Sequence, residues 1–172
     1  MTGRKSASVP SSRILMIGYG NPGRLDDGLG PALAAEMEKL GIPGLDVDSD
    51  YQLTVEHAAD VAQYDIAIFA DADVSGPEPL GFREIQPAAN PTGFSTHSVE
   101  AADVLALART VFGARTRGFA LGIRGYRFND FGEELSDKAR ENLAAATVFL
   151  ENAIRKGLTT GEYARELELE FL

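Results

Sequence analysis

Residues 14–31 read ILMIGYGNPGRLDDGLGP, and this stretch decides the fold. Its first four residues are apolar without interruption, which predicts a strand buried on both faces. A glycine-rich turn follows, and a helix is then indicated by apolar residues at helical spacing, namely Leu29, Leu33, Met37 and Leu40. Because proline is tolerated only near a helix start, Pro31 places the beginning of regular helix near residues 28–30.

The rest of the chain continues this alternation of strand and helix. Further strands are predicted at residues 45–50, 66–70, 80–85 and 119–123, the third of them weaker and suited to an antiparallel edge. Helices are predicted at residues 55–62, with Thr54 as the cap, from about 98 to 112, and from a Ser136 cap to Gly157. This order predicts an α/β fold, a three-layer, mostly parallel twisted sheet of about five strands with helices on both faces. A single domain at 13–157 is expected between a flexible tail at 1–12 and an acidic tail at 158–172.

The composition excludes several classes of function. Sixteen Lys and Arg against 26 Asp and Glu give a net charge of −10, which argues against a nucleic-acid surface. The absence of cysteine excludes a thiol nucleophile, an iron–sulfur centre and a thiolate zinc site. No apolar run approaches the roughly 20 residues needed to span a bilayer. We therefore expect a cytoplasmic protein that is not inserted in a membrane.

Polar residues follow the two strongest predicted strands. Asp26 and Asp27 come after the first strand, and Asp71 comes directly after residues 66–70. His97 precedes the helix predicted from residue 98. Since sites in such sheets form outside the carboxyl ends of the strands, Asp27, Asp71 and His97 are expected to share one rim. Two carboxylates and one imidazole suit a divalent ion such as nickel, zinc, iron or cobalt, with positions left open for substrate.

Simpler explanations compete with this site. Asp26 and Asp27 could cap a helix, since acids at a helix start stabilise it by up to about 1 kcal/mol. Asp71 could lie at the solvated rim, and His97 could be a surface loop residue. His57, the other histidine of the chain, is expected to be a solvated helix residue.

A dinucleotide-binding turn is an alternative interpretation of the opening motif. Gly18, Gly20 and Gly23 match the pattern G-x-G-x-x-G. However, a phosphate needs bare amide donors at a helix N-terminus, and two carboxylates occupy that position here. The same turn also looks like the opening of peptidyl-tRNA hydrolases, but the histidine expected soon after it is missing before His57.

Three segments together resemble the maturation proteases of [NiFe] hydrogenases. They are GYGNPGRLDDGLGP at 18–31, IFADADV at 68–74 and STHSVEAADVLAL at 95–107. The resemblance covers residues 13–156 and implies that Asp27, Asp71 and His97 bind nickel. The implied activity is an endopeptidase that removes a C-terminal extension from the precursor of a hydrogenase large subunit. The nickel is implied to arrive with that precursor, and zinc or cadmium are expected to fit the same ligands.

The resemblance also sets expectations for the chemistry. The metal, or a group beside it, is expected to polarise the scissile carbonyl and orient water, with Asp26 or Asp71 as the base. The expected catalytic set is therefore Asp27, Asp71, His97 and Asp26 in a monomeric enzyme. A serine nucleophile is disfavoured because no G-x-S-x-G pattern occurs. The same three ligands would also serve a chaperone that reads the metal of the precursor without cutting it.

Overall fold

The computed structural model describes residues 12–89 and 99–158. These residues form one five-stranded sheet in the order β2-β1-β3-β5-β4. The strands are β1 (Ile14–Tyr19), β2 (Leu45–Asp50), β3 (Ile66–Asp73), β4 (Leu80–Ile85) and β5 (Arg117–Arg124). All neighbouring pairs are parallel except β4 with β5, which is antiparallel at the edge. The predicted α/β class and the antiparallel edge strand are confirmed.

In the described part of the chain, four helices cover the sheet. They are α1 (Leu29–Leu40), α2 (His57–Val61), α3 (Ala101–Phe112) and α4 (Asp137–Lys156). A single 3-10 turn (Leu25–Gly28) precedes α1, so regular helix begins where Pro31 predicts it. Glu100 and Asp103 form a capping box at the start of α3, and the Ser136 hydroxyl caps α4 by accepting a hydrogen bond from the amide of Ala139.

The sheet divides the core into two halves. Alternate residues of β1 point to opposite faces, so Met16 packs with α1 and α4, whereas Ile17 packs with α2 and α3. β3 does the same with Ile68 and Phe69. Burial on both faces explains why these two strands are continuous apolar runs in the sequence.

The predicted tails at 1–12 and 158–172 fall almost entirely outside the described residues. Leu158, the first residue of the predicted C-terminal tail, is described and is only 4% exposed. It packs against the core half of α1 and α4. In the described ranges, no helix has the length and apolar character that crossing a membrane requires.

The prediction of a solvated His57 is wrong. Its side chain is only 6% exposed, and its Nδ1 accepts a hydrogen bond from the amide of Thr54 at 2.9 Å. Its Nε2 lies 3.5 Å from a carboxylate oxygen of Asp50 at the end of β2. The predicted capping role of Thr54 is also wrong, because the residue before α2 is Glu56 and the His57 ring satisfies the Thr54 amide.

Candidate functional site

The candidate site lies where β1 and β3 end side by side. The two strands are parallel, and their pairing ends with Gly18 opposite Ala70. Asp71 is the next residue of β3 and therefore lies beside the turn that carries Asp27. A Cβ atom on Gly30 would lie 2.3 Å from the carbonyl oxygen of Tyr19 and 2.7 Å from that of Ala70. Only glycine allows α1 to begin this close to both strand ends. The close approach brings the start of α1 and the acids before it to the rim.

Asp27 is held by the turn itself. Its side chain is half-buried, and its Oδ2 accepts a hydrogen bond from the amide of Asn21 at 2.8 Å. The Asp27 amide in turn donates to the carbonyl oxygen of Arg24 at 3.2 Å. Gly20 lies at φ 144, and a Cβ there would be 2.0 Å from the carbonyl oxygen of Asp27. The glycine-rich sequence therefore serves the tight packing around Asp27.

The same turn does not fit a bound pyrophosphate. Each backbone amide from Gly20 to Asp27 donates within the protein, Pro22 having none. Five of these amides donate to backbone carbonyl oxygens: Gly20 to Asp50, Arg24 to Asn21, Leu25 to Gly132, Asp26 to Arg127 and Asp27 to Arg24. The other two donate to side chains: Asn21 to Oδ2 of Asp27 and Gly23 to Oδ1 of Asn21. A phosphate site needs free amides at this position. We therefore set aside the dinucleotide interpretation.

Asp71 carries the most perturbed carboxyl group of the described site. Burial raises its pKa to about 7, and the charges of Asp27 and Asp73 add to the rise, although a hydrogen bond from the Ala72 amide opposes it. The pairing of β1 with β3 brings the two carboxylates to the same rim, and the charge of Asp27 contributes to the raised pKa of Asp71. Bringing like charges together in a partly desolvated place is costly without a cation. The pair of Asp27 and Asp71 is thus suited to hold one.

The third predicted ligand, His97, lies outside the described residues. Within 12–89 and 99–158, no group of three or more His, Cys, Asp or Glu side chains has the arrangement of a metal site. The structure thus brings together two of the three predicted ligands. Glu100, three residues after His97 in the sequence, is described and caps α3 near the rim.

Tyr19 belongs to this site although the sequence motifs did not indicate it. Burial raises the pKa of its hydroxyl, and the charges of Asp71 and Glu100 raise it further. The hydroxyl therefore stays protonated and can donate a hydrogen bond. The available signal was its place as the last residue of a buried strand at the predicted rim.

Asp73 has a structural explanation. Its Oδ1 accepts hydrogen bonds from the amides of Ser75 and Gly76 at 3.1 and 2.9 Å, which closes the turn after β3. A Cβ on Gly76 would lie 2.1 Å from Asp73 Oδ2, so the turn packs tightly around this side chain. The charge of Asp73 contributes to the raised pKa of Asp71, but its carboxylate is hydrogen-bonded within the turn.

Asp26 does not have the environment expected of a catalytic base. The residue is 0% exposed, and its carboxylate accepts four hydrogen bonds, from the amides of Tyr126, Arg127 and Ser136 and from the Ser136 hydroxyl. Burial alone would raise its pKa, but these donors hold the pKa below its ordinary value. A general base must reach water or substrate, and a fully buried carboxylate is shielded from both. The burial of Asp26 therefore argues against its predicted role as a base.

No protein-family model matches the sequence, and no curated protein matches it significantly. Solved structures do share the fold. The [NiFe] hydrogenase maturation protease HycI from Thermococcus kodakarensis is 20% identical with a TM-score of 0.66, over 84% of this chain and 93% of that one. The hydrogenase maturating endopeptidase HybD from Escherichia coli is 21% identical with a TM-score of 0.67, over the same shares of the two chains. A hydrogenase 2 maturation peptidase from a Thaumarchaeota archaeon is 20% identical with a TM-score of 0.60, over 83% and 97%.

These likenesses confirm the predicted resemblance at the level of the fold. The chain has the α/β architecture of hydrogenase maturation endopeptidases across most of the length of those proteins. Because a fold can host several functions, the activity has to be argued from the site residues.

Proposed function

We propose that this protein is an endopeptidase that removes a C-terminal extension from the nickel-loaded precursor of a [NiFe] hydrogenase large subunit. The observation that carries the proposal is the pair of carboxylates, Asp27 and Asp71, which β1 and β3 bring to one rim close enough to interact. The fold shared with maturation endopeptidases supports it. The sequence motif around His97 supplies a third ligand for the proposed set.

The nickel belongs to the substrate in this proposal. Carboxylate oxygens from Asp27 and Asp71 and an imidazole nitrogen from His97 form a donor set for a borderline divalent ion, which zinc or cadmium would also satisfy. Three protein ligands leave coordination positions free for groups of the precursor. A precursor without nickel lacks the ion that these ligands recognise. The protease thereby distinguishes a completed precursor from an empty one.

Cleavage adds one water molecule across a peptide bond, giving a new carboxyl terminus and a released C-terminal peptide. A divalent ion at this rim supplies Lewis-acid polarisation of the scissile carbonyl. Asp27 and Asp71 would hold the ion, and Asp71 is the remaining candidate for the base because Asp26 is fully buried and already accepts four hydrogen bonds. The charge of Asp71 contributes to the raised pKa of the Tyr19 hydroxyl, which therefore stays protonated at this rim. We further propose that the enzyme acts as a monomer in the cytoplasm.

The proposal is tested by the intact mass of nickel-loaded precursor after incubation with site variants. Asp71→Ala and His97→Ala are expected to leave the precursor uncut while circular dichroism shows a folded protein. Asp48→Ala is the matched control, since Asp48 is an exposed carboxylate on the edge strand β2, and it is expected to cut normally. Full trimming by both site variants would refute the assignment. Tight binding of the precursor by the wild-type protein without any mass change would favour the non-cleaving chaperone instead.

A further inference from the structure

We infer that Asp26 is a positioning residue for Asp27, through which the segment between β5 and α4 fixes that carboxylate at the rim. The segment comprises residues 125–136, and we call it the anchor loop. The inference rests on the proposed function only where it assigns Asp27 a role in processing. The placement of Asp27 itself is argued from contacts and can be tested without any substrate.

The first link is the buried carboxylate of Asp26. Its Oδ2 accepts hydrogen bonds from the amides of Tyr126 and Arg127, at 2.8 and 3.0 Å, near the beginning of the anchor loop. At the end of that loop, Ser136 donates its amide to Oδ1 at 2.8 Å and its hydroxyl to Oδ2 at 2.7 Å. A buried charge is tolerated only when such donors replace water. One side chain thus holds both ends of the anchor loop against the turn.

The second link is made by the backbone on either side of Asp26. The Leu25 amide donates to the carbonyl oxygen of Gly132 at 2.8 Å, and the Gly132 amide donates to the carbonyl oxygen of Gly23 at 2.9 Å. The Asp26 amide donates to the carbonyl oxygen of Arg127 at 3.0 Å. The turn therefore meets the anchor loop through both its backbone and the Asp26 side chain.

The conformation of Leu25 shows that these links constrain the turn. Its φ is 52, in the left-handed region, which is unfavourable for a non-glycine residue and persists only when the surroundings enforce it. The enforcing contacts are those of its own amide and of Asp26 to the anchor loop. The turn is thus held in a shape that Leu25 would not favour alone.

Asp27 directly follows Asp26, so the contacts of Asp26 with the anchor loop also restrict the position of Asp27. Its backbone follows directly from Asp26, and its carboxylate is fixed by the Asn21 amide within the same turn. Ligand groups have to be held within about 0.5 Å of productive geometry. Loss of the Asp26 contacts would free the turn and displace Asp27, although Asp26 itself touches neither substrate nor metal.

Hydrogen exchange of the Asn21 amide reads out this positioning directly, because that amide is bonded to the Asp27 carboxylate. Asp26→Asn replaces one acceptor oxygen by an amino group that faces N–H donors. The Asn21 amide is expected to exchange about tenfold faster or more, as for loss of one well-formed hydrogen bond to a charged group. Ser136→Ala removes only the hydroxyl donor to Asp26. It is also expected to speed the exchange of the Asn21 amide, but by a smaller factor than Asp26→Asn. It also serves as the test if Asp26→Asn does not fold.

Met37→Ala is the control for loss of stability alone. Met37 is fully buried near the C-terminal end of α1, the end of that helix remote from the turn. This variant is expected to unfold more easily while Asn21 keeps its exchange rate within about threefold, since local opening is independent of global unfolding. Unchanged Asn21 exchange in Asp26→Asn or Ser136→Ala, compared with Met37→Ala, would overturn the inference.

Processing kinetics separate this inference from the proposed function. A positioning role predicts that Asp26→Asn lowers kcat on nickel-loaded precursor with little change in KM, together with faster Asn21 exchange. A lowered kcat with unchanged Asn21 exchange would show that Asp26 acts directly and would also overturn the inference. If the wild-type protein trims nothing, the proposed function fails, whereas the exchange experiment still decides whether Asp26 positions Asp27.

Discussion

The carboxylate of Asp27 lies close enough to that of Asp71 for its charge to raise the pKa of Asp71. The two residues are 44 positions apart in the sequence. They come together because β1 and β3 are parallel neighbours in the sheet. In the absence of a cation this arrangement opposes folding at neutral pH. A site that binds a positive ion can accept such a cost, because the ion offsets it when bound.

Asp71→Asn is therefore expected to abolish processing and to stabilise the metal-free protein. The pKa of Asp71 is raised to about 7 by burial and by Asp27 and Asp73, whereas an unfolded aspartate titrates near 4. A raised pKa means that folding disfavours the ionised form, so this group lowers stability as pH rises from about 4 to about 7. Thermal unfolding in the presence of a chelator should show a higher Tm for Asp71→Asn at pH 8 and a smaller difference at pH 5. A lower Tm at pH 8 would contradict this assignment.

Asp26→Asn is expected to have the opposite effect on stability. Removing the charge of a buried carboxylate that accepts four hydrogen bonds should cost about 2–4 kcal/mol at pH 7. The pKa of Asp26 is held below its ordinary value, so the contribution is complete above the unfolded pKa and is lost as pH falls through the folded pKa. Urea unfolding of the two proteins at pH 7 and pH 3 should show a difference that shrinks at the lower pH. An equal difference at both values would count against the charged state of Asp26.

Gly30→Ala is expected to destabilise the protein by about 3 kcal/mol. The added Cβ atom would clash with backbone atoms, which cannot move aside as a flexible side chain could. Its neighbours would be the carbonyl oxygens of Tyr19 and Ala70 at 2.3 and 2.7 Å. Gly41→Ala is the control, since Gly41 has φ 57 and no atom within 4 Å of its Cβ position. It should cost only about 1 kcal/mol. Similar costs in urea unfolding would show that α1 is not packed this closely on the strand ends.

Substitution of the two histidines is expected to have different effects, on stability for His57 and on processing for His97. His57→Ala removes the acceptor of the Thr54 amide and should lower the free energy of unfolding by about 1–3 kcal/mol. At a temperature where this variant is folded, it should still process the precursor. His97→Ala should abolish processing without lowering Tm. Paired measurement of Tm and cleavage checks both statements. Loss of cleavage in folded His57→Ala would require a functional role for the buried histidine.

Local patterns predicted the parts of the fold that depend on local physics. The apolar runs in β1 and β3 are continuous because both strands are buried on two faces, and Pro31 marks the start of α1 because proline fits only there. The rim acids Asp27 and Asp71 followed from the rule for parallel strand ends.

Contacts distant in sequence were out of reach of such patterns. The donors to Asp26 lie 100 to 110 residues further along the chain, so its sequence neighbourhood resembled that of an exposed acid. His57 looked solvated because its partner Asp50 lies at the end of β2, outside the helix on which the prediction was based. Burial of a polar residue depends on partners that only the assembled sheet provides.

The most direct test of the proposed metal-reading endopeptidase is the intact mass of hydrogenase large-subunit precursor after incubation with the wild-type protein, in nickel-loaded and nickel-free form. We predict loss of one C-terminal peptide from the loaded precursor and an unchanged mass for the empty one. Equal trimming of both forms, or of neither, would contradict the proposed function.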